Sequence, residues 1–196
     1  MEFVSAFLTI LFVMDPLGNV PIFLSVLKDV PEARRKTVIV RELLLALLIL
    51  AAFLVAGTWF LQLLQLEQES ISIAGGIILF IIGLRMIFPT GAVHNMDDLP
   101  EGEPFLVPLA TPCVAGPSTL AVVMLFVHEN PQQTLELGGA LFCAWLVSAA
   151  VLLSSPLLFR ILGQRGLIAT ERLMGMLLVI ISVQMFFDGV ARFLEG

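Results

Sequence analysis

Apolar residues form six long runs along this chain, separated by short polar segments. The runs cover roughly residues 2–27, 38–64, 71–88, 105–127, 135–161 and 170–194. Each has about 18–27 residues, the length an α-helix needs to cross a hydrocarbon core about 30 Å thick. The strict apolar and polar alternation of a membrane β-barrel is absent. The pattern therefore predicts an all-α membrane protein with six transmembrane helices.

Composition agrees with lipid as the solvent. Hydrophobic residues make up 59% of the chain and charged residues 13%, whereas soluble domains have about 45–50% and about 25%. The connecting segments are too short for a soluble domain, so we expect one transmembrane domain over residues 1–196 and no enzymatic module. The net charge of −6 argues against nucleic acid as a partner. Residues 1–14 lack the basic start of a signal peptide and are expected to remain as part of the first span.

The basic residues predict the orientation of the chain. All of them except Arg192 border the first, third or fifth connecting segment. Because cytoplasmic segments carry the excess of Lys and Arg, these three segments are predicted to face the cytoplasm. Both termini then lie outside, and the chain is a multi-pass protein of the bacterial inner membrane.

Two proline-containing blocks interrupt the apolar runs. "DPLGNVP" at residues 15–21 lies in the first run and "TPCVAGP" at residues 111–117 lies in the fourth, and a shift of 96 residues superposes their prolines. The third and sixth runs also align, with a shift of 99 residues that places Gly76 on Gly175. These matches predict two three-helix repeats, residues 1–96 and 97–196. Since three is an odd number of spans, the repeats must be inverted in the membrane, as in many secondary transporters.

Each block is expected to break its helix, so that helices 1 and 4 are discontinuous. Proline lacks the N–H and clashes with the carbonyl four residues back, which predicts free carbonyls at Phe12, Leu17, Pro108 and Cys113. Restarting the helix is expected to leave unpaired N–H donors at Gly18, Asn19, Ala115 and Gly116. Irregular backbone at membrane depth persists only against protein or a wet cavity.

Such a pair of breaks suits a zwitterion such as a neutral amino acid. Helix N-termini attract its carboxylate, freed carbonyls accept from its ammonium, and the glycines favour a small side chain. The candidate substrate-binding residues are Asp15, Pro16, Gly18, Asn19, Pro21, Thr111, Pro112, Ala115, Gly116, Pro117, Ser118 and Thr119.

Asp15 has two compatible interpretations. An intramembrane carboxylate is by default a functional hypothesis, and Asp15 would take the substrate ammonium, bind a coupling cation such as sodium, or carry a proton. It also has the position of a helix N-cap followed by proline at the first helical residue.

The other polar and small residues have structural interpretations. Arg41 and Glu42 are expected to form an interfacial pair where the second span begins. The cysteines and histidines lack metal-ligand spacing, so no metal and no cofactor is predicted: they are Cys113, Cys143, His94 and His128. Several glycines are expected to permit close helix packing: Gly75, Gly76, Gly83, Gly138, Gly139 and Gly175.

The two blocks, together with "RELLLALL" and "ISIAGGIILFIIGLRMIF", resemble the MarC family of bacterial and archaeal inner-membrane proteins over essentially the whole chain. The resemblance implies a small neutral amino acid transporter that carries glycine and alanine with ion-gradient coupling. It also implies that helices 1 and 4 are discontinuous and that the substrate lies between them. Some members have Asn-Pro where this chain has Asp15-Pro16.

Other functions remain open at this point. An exporter of drugs or other small metabolites would need a larger apolar cavity than two glycine-containing breaks suggest. A channel would give flux that does not saturate. An intramembrane serine hydrolase built on Ser118 would need a nearby base, and both histidines lie in connecting segments. The expectation is a transporter and not an enzyme.

Overall fold

A computed structural model describes residues 3–28, 30–63, 68–88, 104–107 and 109–195. Its helices are α1 (Phe3–Met14), α2 (Pro16–Leu27), α3 (Glu32–Leu63), α4 (Gln68–Ile87), α5 (Pro117–Glu129), α6 (Thr134–Leu153) and α7 (Ser155–Glu195). A π-helical stretch, here called the π segment (Leu109–Val114), precedes α5, and a short 3-10 turn (Pro131–Gln133) precedes α6. The described ranges contain no β-strand beyond one isolated bridge between Phe105 and Val107. The all-α prediction is confirmed.

Within the described residues, four helical stretches are long and apolar enough to cross a membrane. They are Phe3–Leu27, Glu32–Gly57, Pro131–Leu153 and Ser155–Leu194. The third and fourth predicted runs instead contain shorter apolar helices, Ser72–Ile87 and Pro117–Glu129. The helix in the fourth run is short because α5 begins only at Pro117, after the irregular backbone of the π segment.

The fifth connecting segment contains a break between two helices. Residues 162–169, which are predicted to connect the fifth and sixth apolar runs, lie within the 41-residue stretch α7. This stretch consists of two helices that meet in a kink at Gly163, whose φ of 63° and ψ of 178° are not helical. Because L-residues rarely adopt such a φ, glycine permits this bend without strain.

Helices α4 and α7 pack at backbone distance through glycines. A Cβ added to Gly83 would lie 2.8 Å from the carbonyl oxygen of Gly175, and a Cβ on Gly175 would lie 2.9 Å from that of Gly83. Further along, a Cβ on Gly76 would lie 2.9 Å from the carbonyl oxygen of Ser182. These contacts agree with the close packing predicted for Gly76, Gly83 and Gly175.

The first and second halves of the chain pack on each other rather than separately. Helix α1 contacts α6, and the π segment contacts α3. Helix α2 contacts α6 and α7, whereas α5 contacts α3 and α4. The span Phe3–Leu27 is the most buried of the four, while α3 and α7 expose large apolar side chains such as Leu48 and Phe187. The two interrupted stretches therefore lie inside the bundle.

Candidate functional site

The first break divides the first apolar run at its middle. Helices α1 and α2 have 12 residues each, so each is about 18 Å long. Asp15 between them would lie near the midplane of a hydrocarbon core about 30 Å thick. It is only 8% exposed, which fits irregular backbone that is covered by protein.

Asp15 caps α2 from a left-handed backbone conformation. Its φ and ψ are 44° and 62°, and its Oδ1 accepts a hydrogen bond of 3.1 Å from the N–H of Gly18. Asp is among the few residues that adopt this conformation readily, because its short polar side chain bonds locally. Pro16 occupies the first helical position, where no N–H is needed. The N-cap interpretation of Asp15 is thus confirmed.

Gly18 is required by that cap. A Cβ on Gly18 would overlap Oδ2 of Asp15 and would lie 2.6 Å from Cε of Met86 on α4. Any larger residue would displace the carboxylate or push α2 away from α4. The cap therefore depends on the small residue three positions after it.

The second break lies in the π segment. Thr111 has extended angles of −127° and 135° inside the segment, and Ala115 N–H donates to Ala110 O at 2.8 Å. The backbone then extends through Gly116 before α5 begins at Pro117, and no side chain of the described residues caps α5. The two breaks thus differ, since α2 starts on a carboxylate and α5 does not.

Asn19 joins the two breaks. Its Nδ2 donates to Met14 O at 2.9 Å and to Cys113 O at 2.8 Å. Met14 is the last residue of α1, and Cys113 lies in the π segment, 94 positions away in sequence from Asn19. One amide therefore fixes the first break against the second.

Two of the carbonyls that were expected to be free have partners. Phe12 O accepts from Asp15 N–H at 3.1 Å, because α1 continues to Met14 and the N–H of Asp15 closes its last turn. Cys113 O accepts from the Asn19 amide. Pro108, the third of these residues, lies outside the described residues. The expectation of free carbonyls is wrong for Phe12 and Cys113.

Three of the four N–H donors that were expected to be unpaired also have partners. Gly18 N–H donates to the Asp15 carboxylate and Asn19 N–H to Asp15 O. Ala115 N–H donates to Ala110 O through the wider π turn. The expectation is wrong for these three because the cap and the π turn satisfy the backbone locally.

Most of the predicted site residues are buried. Asp15, Pro16, Gly18, Asn19, Ala115, Gly116, Ser118 and Thr119 are buried, Pro21 and Thr111 are half-buried, and Pro112 and Pro117 are exposed. The hydroxyl of Thr119 donates to Val114 O at 3.4 Å. The structure brings Asn19 against the π segment, and it leaves the exposed prolines at the edge of this cluster.

Sequence reasoning missed the position of Glu42. This residue forms the expected ion pair with Arg41, at 3.0 Å, but its side chain is 0% exposed. Its Oε2 accepts from the N–H of Leu106, just before the π segment, at 2.8 Å. The predicted pair is present, but Glu42 is covered by protein on all sides, and the available signal for this was a carboxylate next to the apolar run "LLLALL".

The residues that the structure describes contain no group of three or more His, Cys, Asp or Glu side chains suited to a metal ion. Cys113 and Cys143 are free thiols, the first half-buried and the second exposed. His128 is exposed near the end of α5. His94 and the third connecting segment lie outside the described residues.

Comparison with known proteins places these features in a family. The profile described as "MarC family integral membrane protein" matches residues 1–194. The "UPF0056 inner membrane protein YhgN" of Escherichia coli (strain K12) is 50% identical over all of this chain and 99% of its own length.

More distant relatives match over similar lengths. A "UPF0056 membrane protein" of Buchnera aphidicola subsp. Baizongia pistaciae is 47% identical over 96% of each chain. One from Aquifex aeolicus is 31% identical over 98% of this chain and 94% of its own. No solved structure matches the chain.

Proposed function

Because this chain belongs to the MarC family of integral membrane proteins, we propose that it is a secondary transporter of small neutral amino acids such as glycine and alanine. It works in the inner membrane, where the name of the Escherichia coli relative places that protein. The observation that carries the proposal is the pair of helix breaks joined by Asn19. Discontinuous helices near the midplane are where secondary transporters bind substrates and coupling ions.

The difference between the two helix starts supports one orientation of the substrate. Helix α2 begins on the carboxylate of Asp15, which already neutralises the positive end of its dipole. Helix α5 begins after Gly116, and none of the side chains in the described part of the chain caps it. The substrate carboxylate therefore binds at the start of α5, beside Ser118 and Thr119, and the ammonium binds toward Asp15. This orientation also supports Asp15 as the residue that couples transport to a proton or sodium gradient.

Glycine at both breaks supports a small substrate. A Cβ on Gly116 would lie 2.6 Å from the carbonyl oxygen of Pro112, so this position is as restricted as Gly18. Two positions without space for a Cβ leave room for a substrate with a glycine or alanine side chain rather than for a drug-sized molecule. An exporter of larger metabolites is the less favoured alternative for this reason.

The contacts between the halves support two inverted repeats, residues 1–96 and 97–196. Under a shift of 99 residues, Gly76 corresponds to Gly175 and Gly83 to Ser182. The contact of Gly76 with Ser182 then corresponds to the contact of Gly175 with Gly83. When the two halves are exchanged, the contact between α1 and α6 corresponds to the contact between the π segment and α3. The contact between α2 and α7 corresponds in the same way to the contact between α5 and α4. A twofold axis between the halves requires such reciprocal contacts.

An intramembrane hydrolase is not favoured. Ser118 and His128 lie on the same helix, ten positions and about 15 Å apart, too far for a hydrogen bond between nucleophile and base. We therefore propose a non-enzymatic function, in which Ser118→Ala retains transport.

Counterflow in proteoliposomes tests the proposal. Vesicles loaded with unlabelled glycine or alanine should accumulate labelled glycine transiently, whereas vesicles loaded with glutamate should not. Gly116→Ala should abolish the overshoot because its Cβ meets backbone, and Gly139→Ala on α6 is the matched control, since its Cβ would lie 3.4 Å from Phe3. A channel would equilibrate the label without overshoot. Absence of overshoot with any neutral amino acid, in folded protein, would contradict the substrate class.

A further inference from the structure

Glu42 is a fully buried carboxylate whose two oxygens have different partners. Its Oε1 accepts from Nε and Nη2 of Arg41 at 3.1 and 3.0 Å. Its Oε2 accepts from Leu106 N–H at 2.8 Å. The side chain thus connects a cation on its own helix, α3, to backbone more than sixty positions later.

Arg41 contacts the same short stretch of backbone, here called the lead-in segment (residues 104–107). Its Nη2 donates to Pro104 O, and its Cζ lies 5.2 Å from the centroid of the Phe105 ring. A guanidinium at this distance from an aromatic face is attracted by it. Arg41 and Glu42 together therefore hold three consecutive residues, 104 to 106.

The lead-in segment is hydrogen-bonded to the second break. Leu106 O accepts from Thr111 N–H at 2.8 Å, and Thr111 is the residue at which the π segment loses helical geometry. Leu106 itself has a φ of 65°. A leucine adopts this left-handed conformation only when its surroundings impose it, and the contacts of Arg41 and Glu42 are among those that hold it.

Stability alone does not account for an ion pair in this place. A buried ion pair is often no more stabilising than apolar residues of the same volume, although losing one partner leaves an uncompensated charge. Directional bonds to a backbone N–H and a carbonyl instead fix the position of the segment, and the segment would be released when both bonds are lost.

We propose that Arg41 and Glu42 form a clamp on the lead-in segment that keeps the second break closed from that side, and that its release opens the break during transport. The inference rests on the proposed function, because it names the gate of that transporter. Neither residue is placed against the substrate, so both are positioning residues.

The native thiol of Cys113 reports directly on the clamp. Cys113 lies in the π segment and is half-buried, and Cys143→Ala leaves it as the one cysteine of the chain. In purified protein in proteoliposomes, N-ethylmaleimide should alkylate Cys113 about ten-fold faster after Glu42→Gln, since local opening limits access to a covered thiol. Arg41→Lys, which keeps the charge but loses the planar fork, should give a smaller increase.

A second ion pair provides the matched control. Arg192 and Glu129 join α7 to α5 at 2.6 Å, at the end of α5 away from the break. Glu129→Gln should leave the alkylation rate of Cys113 within about two-fold of the parent, because it opens neither the lead-in segment nor the π segment. Equal acceleration by Glu129→Gln and Glu42→Gln would overturn the clamp, since loss of any ion pair would then suffice.

A milder variant covers the case in which Glu42→Gln does not fold. Phe105 is 65% exposed, so Phe105→Leu removes the ring over which Arg41 lies without opening a core cavity. It should still raise the alkylation rate about three-fold through the lost cation–π contact. Parental rates in Phe105→Leu and Arg41→Lys would overturn the proposal.

The alkylation assay needs no substrate. A failure of the clamp proposal can therefore be distinguished from a failure of the proposed transport function, which counterflow tests. Acceleration without glycine counterflow in the parent would refute the amino acid transporter and support the clamp. Where counterflow is present, Arg41→Lys should lower its maximal rate about ten-fold and leave the half-saturating glycine concentration within about two-fold. A change confined to half-saturation would place Arg41 at the substrate and overturn its positioning role.

Discussion

At the scale of single residues, Asp15 combines a backbone role with a charge. Its left-handed conformation and its bond to Gly18 require a short side chain with an acceptor oxygen, which asparagine also provides. The proposed ammonium contact requires the negative charge, which asparagine lacks. The two roles can therefore be separated by one pair of substitutions.

We predict that the free energy of unfolding of Asp15→Asn lies within about 0.5 kcal/mol of that of the parent. Asp15→Ala should lower it by about 1–2 kcal/mol because the helix cap is lost. It should lower it by about 1 kcal/mol more because alanine adopts the left-handed conformation less readily than aspartate. Glycine counterflow should be lost in both variants. Thermal unfolding in detergent and counterflow in vesicles measure the two effects. Full counterflow by Asp15→Asn would show that the charge of Asp15 is not needed for substrate binding.

Asn19→Ala should weaken the connection between the breaks. The substitution leaves Met14 O and Cys113 O without the amide donor, and each unsatisfied buried carbonyl costs about 1–3 kcal/mol. The expected result is a lower free energy of unfolding in detergent. Asn130→Ala is the control, because that amide donates to Phe126 O in a long bond of 3.5 Å near the surface. Equal stability losses in the two variants would contradict the bridging role.

The sequence indicates which residues lie at the breaks but not how they bond. Asp15 and Asn19 stand out as polar residues in an apolar run, and both lie buried at the first break. The contact of Asn19 with Cys113 and that of Glu42 with Leu106 join residues far apart in sequence. Spacing along one helix contains no information on such contacts. The prediction of free backbone groups failed because the Asp15 cap, the Asn19 amide and the π turn provide partners that the sequence does not reveal.

At the scale of helices, the contact of α4 with α7 depends on glycine at Gly83 and Gly175. A Cβ at either position would meet backbone or a β-branched side chain at 2.8–2.9 Å. Since backbone cannot yield as the end of a side chain can, the helices must separate along their length. Gly139, whose Cβ would meet only the edge of Phe3 at 3.4 Å, lacks this restriction.

We predict that Gly83→Ala and Gly175→Ala each lower the free energy of unfolding by about 1–3 kcal/mol, and that Gly139→Ala changes it by less than about 0.5 kcal/mol. Unfolding of the purified proteins in the same mild detergent, followed by circular dichroism, measures the difference. A destabilisation by Gly139→Ala as large as that by Gly83→Ala would indicate a general loss of backbone flexibility rather than a helix contact.

The existence of the helices follows from the sequence more reliably than their ends do. Apolar runs of sufficient length identify α3 and α6 because length and hydropathy alone determine them. The end of the fifth apolar run predicts a connection over residues 162–169, but the backbone leaves helical geometry only at Gly163 and is helical on both sides of it. Hydropathy marks the end of an apolar run and does not show whether the chain at that point is helical.

At the scale of the whole molecule, the proposed exchange of the two halves has a consequence for topology. The connections after the first broken helix and after α5, near Lys36 and Gln132, are equivalent positions of the two repeats. If the repeats are inverted, these positions lie on opposite faces of the membrane. If the repeats are parallel, they lie on the same face.

We predict that a cysteine at Gln132 reacts with a membrane-impermeant maleimide in intact spheroplasts, whereas a cysteine at Lys36 reacts only after permeabilisation. Both side chains are exposed, and Cys113→Ala with Cys143→Ala removes the native thiols. The direction follows from the basic residues around the first connection, which remain in the cytoplasm. Labelling of both positions from one face would exclude the inverted repeats. Labelling of position 36 alone in intact spheroplasts would place both termini in the cytoplasm and would still agree with inverted repeats. Denatured protein, in which both cysteines must react fully, calibrates the extent of labelling.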